Sequence, residues 1–157
     1  MTTNNDFDSI VGKLQGLGVQ FEIIEHSPVV TIEDVIRVLD VPVEAMAKTI
    51  LFEVTGIGLV AVVLPGLCRV DYSKLAAALK VGRKTIKLFT QDRAKESNVQ
   101  FGAVSPLSSQ YQRVLLDSKL SNQKMVYCGS GDLSKTIKIS PAIIASALSV
   151  TEADVSK

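Results

Sequence analysis

The chain has 157 residues, 46% hydrophobic and 21% charged, a composition that fits one soluble globular domain with a substantial core. Seventeen Lys and Arg against 16 Asp and Glu leave a net charge of +1, so no bulk excess announces a nucleic-acid partner, although a local basic patch stays open. Cys68 and Cys128 form neither a CxxC pair nor zinc spacing, and a single histidine leaves no His-rich metal site, so no metal is expected.

The start MTTNNDFDSI lacks the apolar run of a signal peptide, and no run approaches the ~20 apolar residues of a membrane span. A cytoplasmic domain with reduced thiols is the expectation, with residues 1–5 disordered and residues 1–157 forming a single domain. Ile10, Val11, Leu14 and Leu17 recur at helical spacing, and Gly18 ends that helix. Val19 to Ile24 alternates as a strand, with Val19, Phe21 and Ile23 on the apolar face, and His26-Ser27-Pro28 turns the chain. Thr31 and Asp34 make a capping box for a short helix that buries Val35, Ile36 and Leu39. Pro42 suits the first turn of another helix holding Val43, Met46 and Ala47.

The clearest strands follow. Lys48–Val54 and Leu59–Leu64 flank Gly56-Ile57-Gly58, a hairpin signal, and the second is apolar on both faces, as in a covered sheet. Asp71 caps a helix carrying Leu75, Ala76 and Leu79. Thr85 to Leu88 reads as a strand, with a short polar helix from Thr90. Val114–Asp117, Met125–Cys128 and Thr136–Ile139 read as further strands. Ser140-Pro141 opens a final helix through Leu148, and Thr151 with Asp154 caps one last turn. Strands and helices mix without strict βαβ alternation, which predicts an α+β fold: a mixed, β-barrel-like sheet surrounded by helices.

Several familiar catalytic signatures are missing, including the GxSxG elbow and the phosphate-binding GxxxxGK[ST] loop. His26, alone at a strand end, reads as a hydrogen-bonded structural residue. Lys48 opens a very apolar strand; it either snorkels to water or stands as a fixed cation at a pocket mouth. Lys80 to Lys87 holds four cations in eight residues, with Arg93 and Lys95 close behind, which reads as a solvated rim or as a track for an RNA backbone. The stretch 98-NVQFGAVSPL-107 carries no titratable side chain. It is either a structural turn or a loop that acts through its backbone N–H groups, which small residues such as Gly102 and Ala103 leave open to a ligand.

In order along the chain, 26-HSP-28, 47-AKTILF-52, 61-AVVLPG-66, 69-RVDYSKLAAAL-79, 101-FGAVSPL-107, Asp117, 126-VYCGSG-131 and 136-TIKIS-140 form a series over roughly residues 26–148. In this series the chain resembles the YbaK/prolyl-tRNA synthetase-associated editing domain family of aminoacyl-tRNA deacylases. The resemblance implies a barrel-like mixed sheet with helices around it and hydrolysis of the ester on a mischarged tRNA, with tRNA(Pro) carrying Cys or Ala as the substrate. It implies catalytic roles for Lys48, as an electrostatic and positioning group, and for Gly102 and Ala103, as carbonyl-binding backbone donors. Thr49, Phe101, Val104, Ser105, Pro106, Gly129, Ser130 and Gly131 would contact substrate, and Arg83, Lys84 and Lys87 would contact RNA. The expected partners are the acceptor end of an aminoacyl-tRNA and prolyl-tRNA synthetase; no cofactor, membrane or DNA partner is expected.

The chain departs from many relatives at Ser97-Asn98, where a Thr-Gly pair is usual, at Ala103, where some have a second glycine, and at Asp132, where some carry basic residues. The Lys48-Thr49 pair looks more like the Cys-tRNA(Pro) branch than the branch with asparagine after the lysine. The rival readings are a non-catalytic module of the same fold that binds an amino acid, a nucleotide or a tRNA end, and a synthetase-associated partner without activity of its own.

Overall fold

The computed structural model describes residues 5–29, 31–90, 92–93, 104–147 and 150–157. Eight strands and five helices follow in chain order: α1 (Asn5–Leu17), β1 (Phe21–Glu25), α2 (Ile32–Leu39), β2 (Ala47–Val54), β3 (Gly58–Pro65), α3 (Tyr72–Leu79), β4 (Ile86–Leu88), β5 (Arg113–Asp117), α4 (Ser118–Ser121), β6 (Val126–Gly129), β7 (Lys135–Ile139), α5 (Pro141–Ala147) and β8 (Thr151–Ala153), among the described residues. They build a five-stranded sheet in the order β4-β2-β3-β5-β8 and a three-stranded sheet in the order β1-β7-β6. The β3–β5 and β5–β8 pairs are parallel and the others antiparallel, so the sheet is mixed, as the sequence predicts. The sheets meet at the isolated Met46–Tyr127 bridge and do not close into a barrel.

The middle strand explains why its sequence is apolar on both faces. Val60, Val62 and Leu64 point into a core capped by Leu75, Ala76 and Leu79 of α3. Ala61 and Val63 point into a second core shared with Ile10 and Leu14 of α1 and with Ile137 and Ile139 of β7. These five β3 residues are 0% exposed, and full burial of a valine or leucine side chain contributes roughly 1.5–3 kcal/mol. β3 therefore separates two cores and is fixed in place by both.

Local signals hold where a single turn decides the outcome. Gly18 ends α1 at φ +69°. The Thr31 hydroxyl accepts from the Asp34 N–H at 3.1 Å, and the Asp34 carboxylate accepts from the Thr31 N–H, completing the capping box. Asp71 accepts from the N–H groups of Ser73 and Lys74.

Three local readings give way to tertiary pairing. Pro42 leads into a single 3-10 turn over Val43–Ala45 and not a helix, because Ala47 already pairs with Pro65 in the β2–β3 ladder. Thr151 and Asp154 cap no helix. Thr151–Ala153 pairs in parallel with β5, Val155 is fully buried in the α3 core, and the Asp154 carboxylate lies 3.0 Å from the Lys74 ammonium. Ile23 is 37% exposed although it shares a face with Phe21, since β1 is the sheet's edge strand and its apolar face is not fully covered. The disorder expected for residues 1–5 lies outside the described residues save for Asn5, which begins α1, and the helix expected from Thr90 is described only at Asp92 and Arg93. Among the described residues no helix is long and apolar enough to cross a membrane.

Candidate functional site

β2 is flanked on one side by β3 along its whole length. On its other side it serves two neighbours. β4 pairs with Phe52–Val54, and the Phe89 N–H donates to the Leu51 carbonyl at 2.9 Å. β6 meets the beginning of β2 only at the Met46–Tyr127 bridge. Between these two contacts no strand lies beside Lys48, Thr49 and Ile50 on that edge, among the described residues. A cavity of about 380 Å³ opens in this gap.

The cavity wraps around the free edge of β2, because residues from both faces of the strand line it. Alternation puts Ala47, Thr49 and Leu51 on one face, toward the core shared with β7, and Lys48 and Ile50 on the other, toward the core under α3. The inner arm is apolar, walled by Leu51, Phe89, Val104 and Cys128. The outer arm is bounded by Ile50, Leu88 and the α2 region at Thr31 and Val35. Asp132, Lys135 and Thr136, from the β6–β7 turn and the start of β7, make a polar wall.

Lys48 is half-buried and forms no ion pair or hydrogen bond with a described residue. Burial draws its ammonium group below the ordinary lysine range; Cys68 and Glu33 act the other way, and Arg69 adds to the lowering. The Thr49 hydroxyl is buried and has no hydrogen-bond partner among the described residues. Such a group stays uncompensated until a ligand supplies a partner. Cys128 lines the same cavity, but burial pushes its thiol up to about 12, which removes it as a thiolate at neutral pH.

The polar wall is internally paired. The Asp132 carboxylate accepts from the Ser134 N–H at 2.9 Å and from its hydroxyl at 2.8 Å, and its second oxygen lies 3.2 Å from the Lys135 ammonium. These contacts hold the Asp132 carboxyl below the usual aspartate range, the Ser134 N–H first among them. Behind the wall, His26 Nδ1 lies 2.7 Å from the Ser27 carbonyl, so this nitrogen carries the proton. Nε2 is hydrogen-bonded to the Thr136 hydroxyl at 2.8 Å. His26 is thus a structural residue that orients a cavity-lining threonine.

Of the residues singled out in sequence, Lys48, Thr49, Val104 and Gly129 line the cavity together. Phe101, Gly102 and Ala103 lie outside the described residues. Ser105 and Pro106 are buried beside the cavity but do not line it: the Ser105 hydroxyl accepts from the Leu107 N–H at 3.1 Å, and its carbonyl accepts from the Tyr111 hydroxyl at 2.6 Å. Ser130 donates to the Lys135 carbonyl at 2.5 Å and accepts from the Asp132 N–H at 3.2 Å, so it shapes the turn. Gly131 has φ +88°, and a Cβ there would meet the Phe7 backbone nitrogen at 3.0 Å, so this glycine lets the turn pack beneath α1.

Arg83 and Lys84 stand in an exposed 3-10 turn before β4, and Lys87 is exposed on β4 itself. The Arg83 guanidinium sits 4.1 Å from the centre of the Tyr72 ring. Arg93, from the same basic stretch, is held by Glu53 at 2.8 Å, and Lys95 lies outside the described residues. Sequence reasoning missed Lys135 and the cavity-lining role of Thr136. The three-residue spacing of Asp132 and Lys135 in a turn was the available signal. No group of three or more His, Cys, Asp or Glu side chains that could hold a metal occurs among the described residues.

The model of the aminoacyl-tRNA editing domain matches residues 26–146. Among solved structures, hypothetical protein APE2540 superimposes with a TM-score of 0.85 at 22% identity, covering 94% of this chain and 99% of the other. A proposed trans-editing enzyme for prolyl-tRNA synthetase superimposes with a TM-score of 0.82 at 17% identity, covering 97% of each chain. A proposed signal transduction protein from Marinobacter aquaeolei VT8 contains the same fold within a longer chain, with a TM-score of 0.67 at 9% identity over 94% of this chain and 30% of that one. Among curated proteins none matches the chain. With the editing-domain model spanning the cavity from His26 to beyond Thr136, the chain belongs to the aminoacyl-tRNA editing domain family.

Proposed function

We propose that the protein is a deacylase that hydrolyses the ester linking an amino acid to the terminal ribose of a mischarged tRNA. The observation that carries this reading is the cavity around the β2 edge, with an ammonium group on one side and a hydroxyl on the other, neither partnered among the described residues. The acyl side chain enters the apolar inner arm, where the Thr49 hydroxyl meets the thiol when that side chain is cysteine's. Lys48, at the bend, faces the ribose and its phosphate and stabilises negative charge as it develops. Gly102 and Ala103, which precede Val104 in the chain, offer backbone N–H groups to the carbonyl oxygen. Phe101, Val104, Ser105 and Pro106 are assigned to substrate contact with them on the family resemblance, and Gly129, Ser130 and Gly131 shape the opposite wall.

The described lining supplies no ionised nucleophile, since Cys128 stays protonated and Asp132 is engaged with Ser134 and Lys135. We take a water molecule as the attacking group, with a group on the substrate itself as the alternative. The water oxygen adds to the ester carbonyl, the bond to the ribose oxygen breaks, and the departing ribose oxygen takes up the proton that the water releases. Positioning and charge stabilisation suffice for an ester, which is an activated acyl group.

On the family resemblance we assign cysteine or alanine on tRNA(Pro) as the substrate, with prolyl-tRNA synthetase as the partner whose errors are corrected in the cytoplasm. A single methylene discriminates by only about 1–3 kcal/mol, so neighbouring small amino acids should be released more slowly but measurably. The test is a panel of mischarged tRNAs assayed for free amino acid. Release of cysteine or alanine from tRNA(Pro) supports the reading; a panel with no release, combined with binding of the tRNA end, would make the protein a binding module.

A further inference from the structure

The cavity's outer arm ends on an apolar shelf that the ester chemistry does not use. Lys48 and Ile50 share one face of β2. Leu88 lies opposite Phe52 on β4 and so sits diagonally beside Ile50 on the same face. Leu88 is 52% exposed; of the four large apolar side chains that stand out from the described surface, Leu17, Ile23, Leu67 and Leu88, it alone lines the cavity. Phe52, the cross-strand partner of Leu88, packs against Tyr72 with ring centres 5.5 Å apart and planes at 88°. The Arg83 guanidinium rests over the Tyr72 ring, 4.1 Å from its centre, and is paired with no acid among the described residues, with Lys84 exposed beside it.

We propose that the Ile50–Leu88 shelf seats the base of the 3′-terminal nucleotide of the acylated RNA, and that Arg83 and Lys84 hold the phosphates leading to it. This rests on reading the cavity as the ester site. Once the acyl group fills the inner arm and the terminal ribose lies at Lys48, the base, attached to the same sugar, must lie within a few ångströms of that bend. An apolar, partly exposed surface on the Lys48 face, made by Ile50 and Leu88, is there to receive it. Arg83 and Lys84, which lead into β4 and connect to Leu88 through Tyr72 and Phe52, supply the complementary charge, and a base laid on apolar side chains with phosphates on flanking cations is how proteins hold single-stranded ends.

The test uses the full chain and one amino acid presented in two ways, as the aminoacyl-tRNA and as its ester on methyl riboside, which has no base. Leu88→Ala should raise the half-saturating concentration for aminoacyl-tRNA about fivefold or more with the maximal rate within about twofold, and leave hydrolysis of the baseless ester unchanged. Leu88→Phe should restore or tighten tRNA binding, and Arg83→Gln should weaken it and reduce its salt dependence. Leu88 is exposed, so these variants should fold, which a melting curve checks. An unchanged half-saturating concentration for Leu88→Ala, an equal loss on both substrates, or a Leu88-dependent dimer in sedimentation, which would assign the shelf to a second copy, overturns the proposal. A wild-type chain that releases no amino acid from either substrate overturns the ester-site reading itself, and the shelf proposal with it.

Discussion

Lys48 and Thr49 are neighbours in the chain, point to opposite faces of β2, and line the same cavity. A strand inside a sheet cannot do this, because the sheet separates its two faces. It happens here because β4 leaves β2 after Phe52 and β6 touches it only at Met46, which exposes a short stretch of strand edge between them. A ligand that passes over this edge meets a cation outside and a hydroxyl inside.

The Thr49 hydroxyl supplies a first prediction. It is buried without a partner among the described residues, so replacing it with the isosteric valine removes an uncompensated polar group. Thr49→Val should raise the free protein's stability by about 1 kcal/mol, a gain of roughly 2–4 °C in melting temperature. It should also raise KM for the preferred aminoacyl-tRNA about tenfold. A lower melting temperature would show that the hydroxyl has a partner within the protein.

Gly131 supplies a second. Its φ of +88° and the Phe7 backbone nitrogen 3.0 Å from the place of a Cβ leave no room for a side chain without moving α1. Gly131→Ala should cost about 2 kcal/mol and lower the melting temperature by about 5 °C in thermal denaturation. Gly82→Ala, with open space around the Cβ position and an ordinary φ, is the control and should melt within about 1–2 °C of wild type.

Asp132 predicts a pH dependence. The Ser134 N–H, then its hydroxyl and the Lys135 ammonium, hold the folded-state carboxyl below the ordinary aspartate value of 3.8, against the opposing effect of burial. The unfolded chain therefore takes up this proton at higher pH than the folded one. The stabilisation is fully present above the unfolded pKa and is lost as pH falls through the folded one, that is, below about pH 4. Asp132→Asn should flatten the fall of melting temperature with acidification in that window. An unchanged slope would mean that the carboxyl titrates alike in both states.

Much of the fold was legible because short-range chemistry decided it. The capping box at Thr31 and Asp34, the Gly56–Gly58 hairpin and the doubly apolar β3 are each set within a few residues. The exceptions are places where a distant strand overrides a local preference. Pro42 begins no helix because β3 claims Ala47, and Thr151 caps none because β5 claims it. The site was legible at Lys48 and Thr49, whose motif drew attention to them. The cavity was not, because it exists only where β4 and β6, some forty residues apart in sequence, share one edge of β2. For the same reason the sequence could not show that Leu88, from a strand of three residues, stands at the mouth of that cavity.

The central claim is that the ammonium group at the bend of the cavity drives ester cleavage. Its partial burial is a cost that the free protein bears, so removing the charge should separate activity from stability. Single-turnover deacylation of the tRNA cleaved fastest by wild type, measured alongside thermal melting for Lys48→Met, tests this most directly. The account predicts a rate at least about a hundredfold lower with a melting temperature equal to or above that of wild type. A Lys48→Met protein that melts normally and deacylates within about threefold of wild type would contradict it.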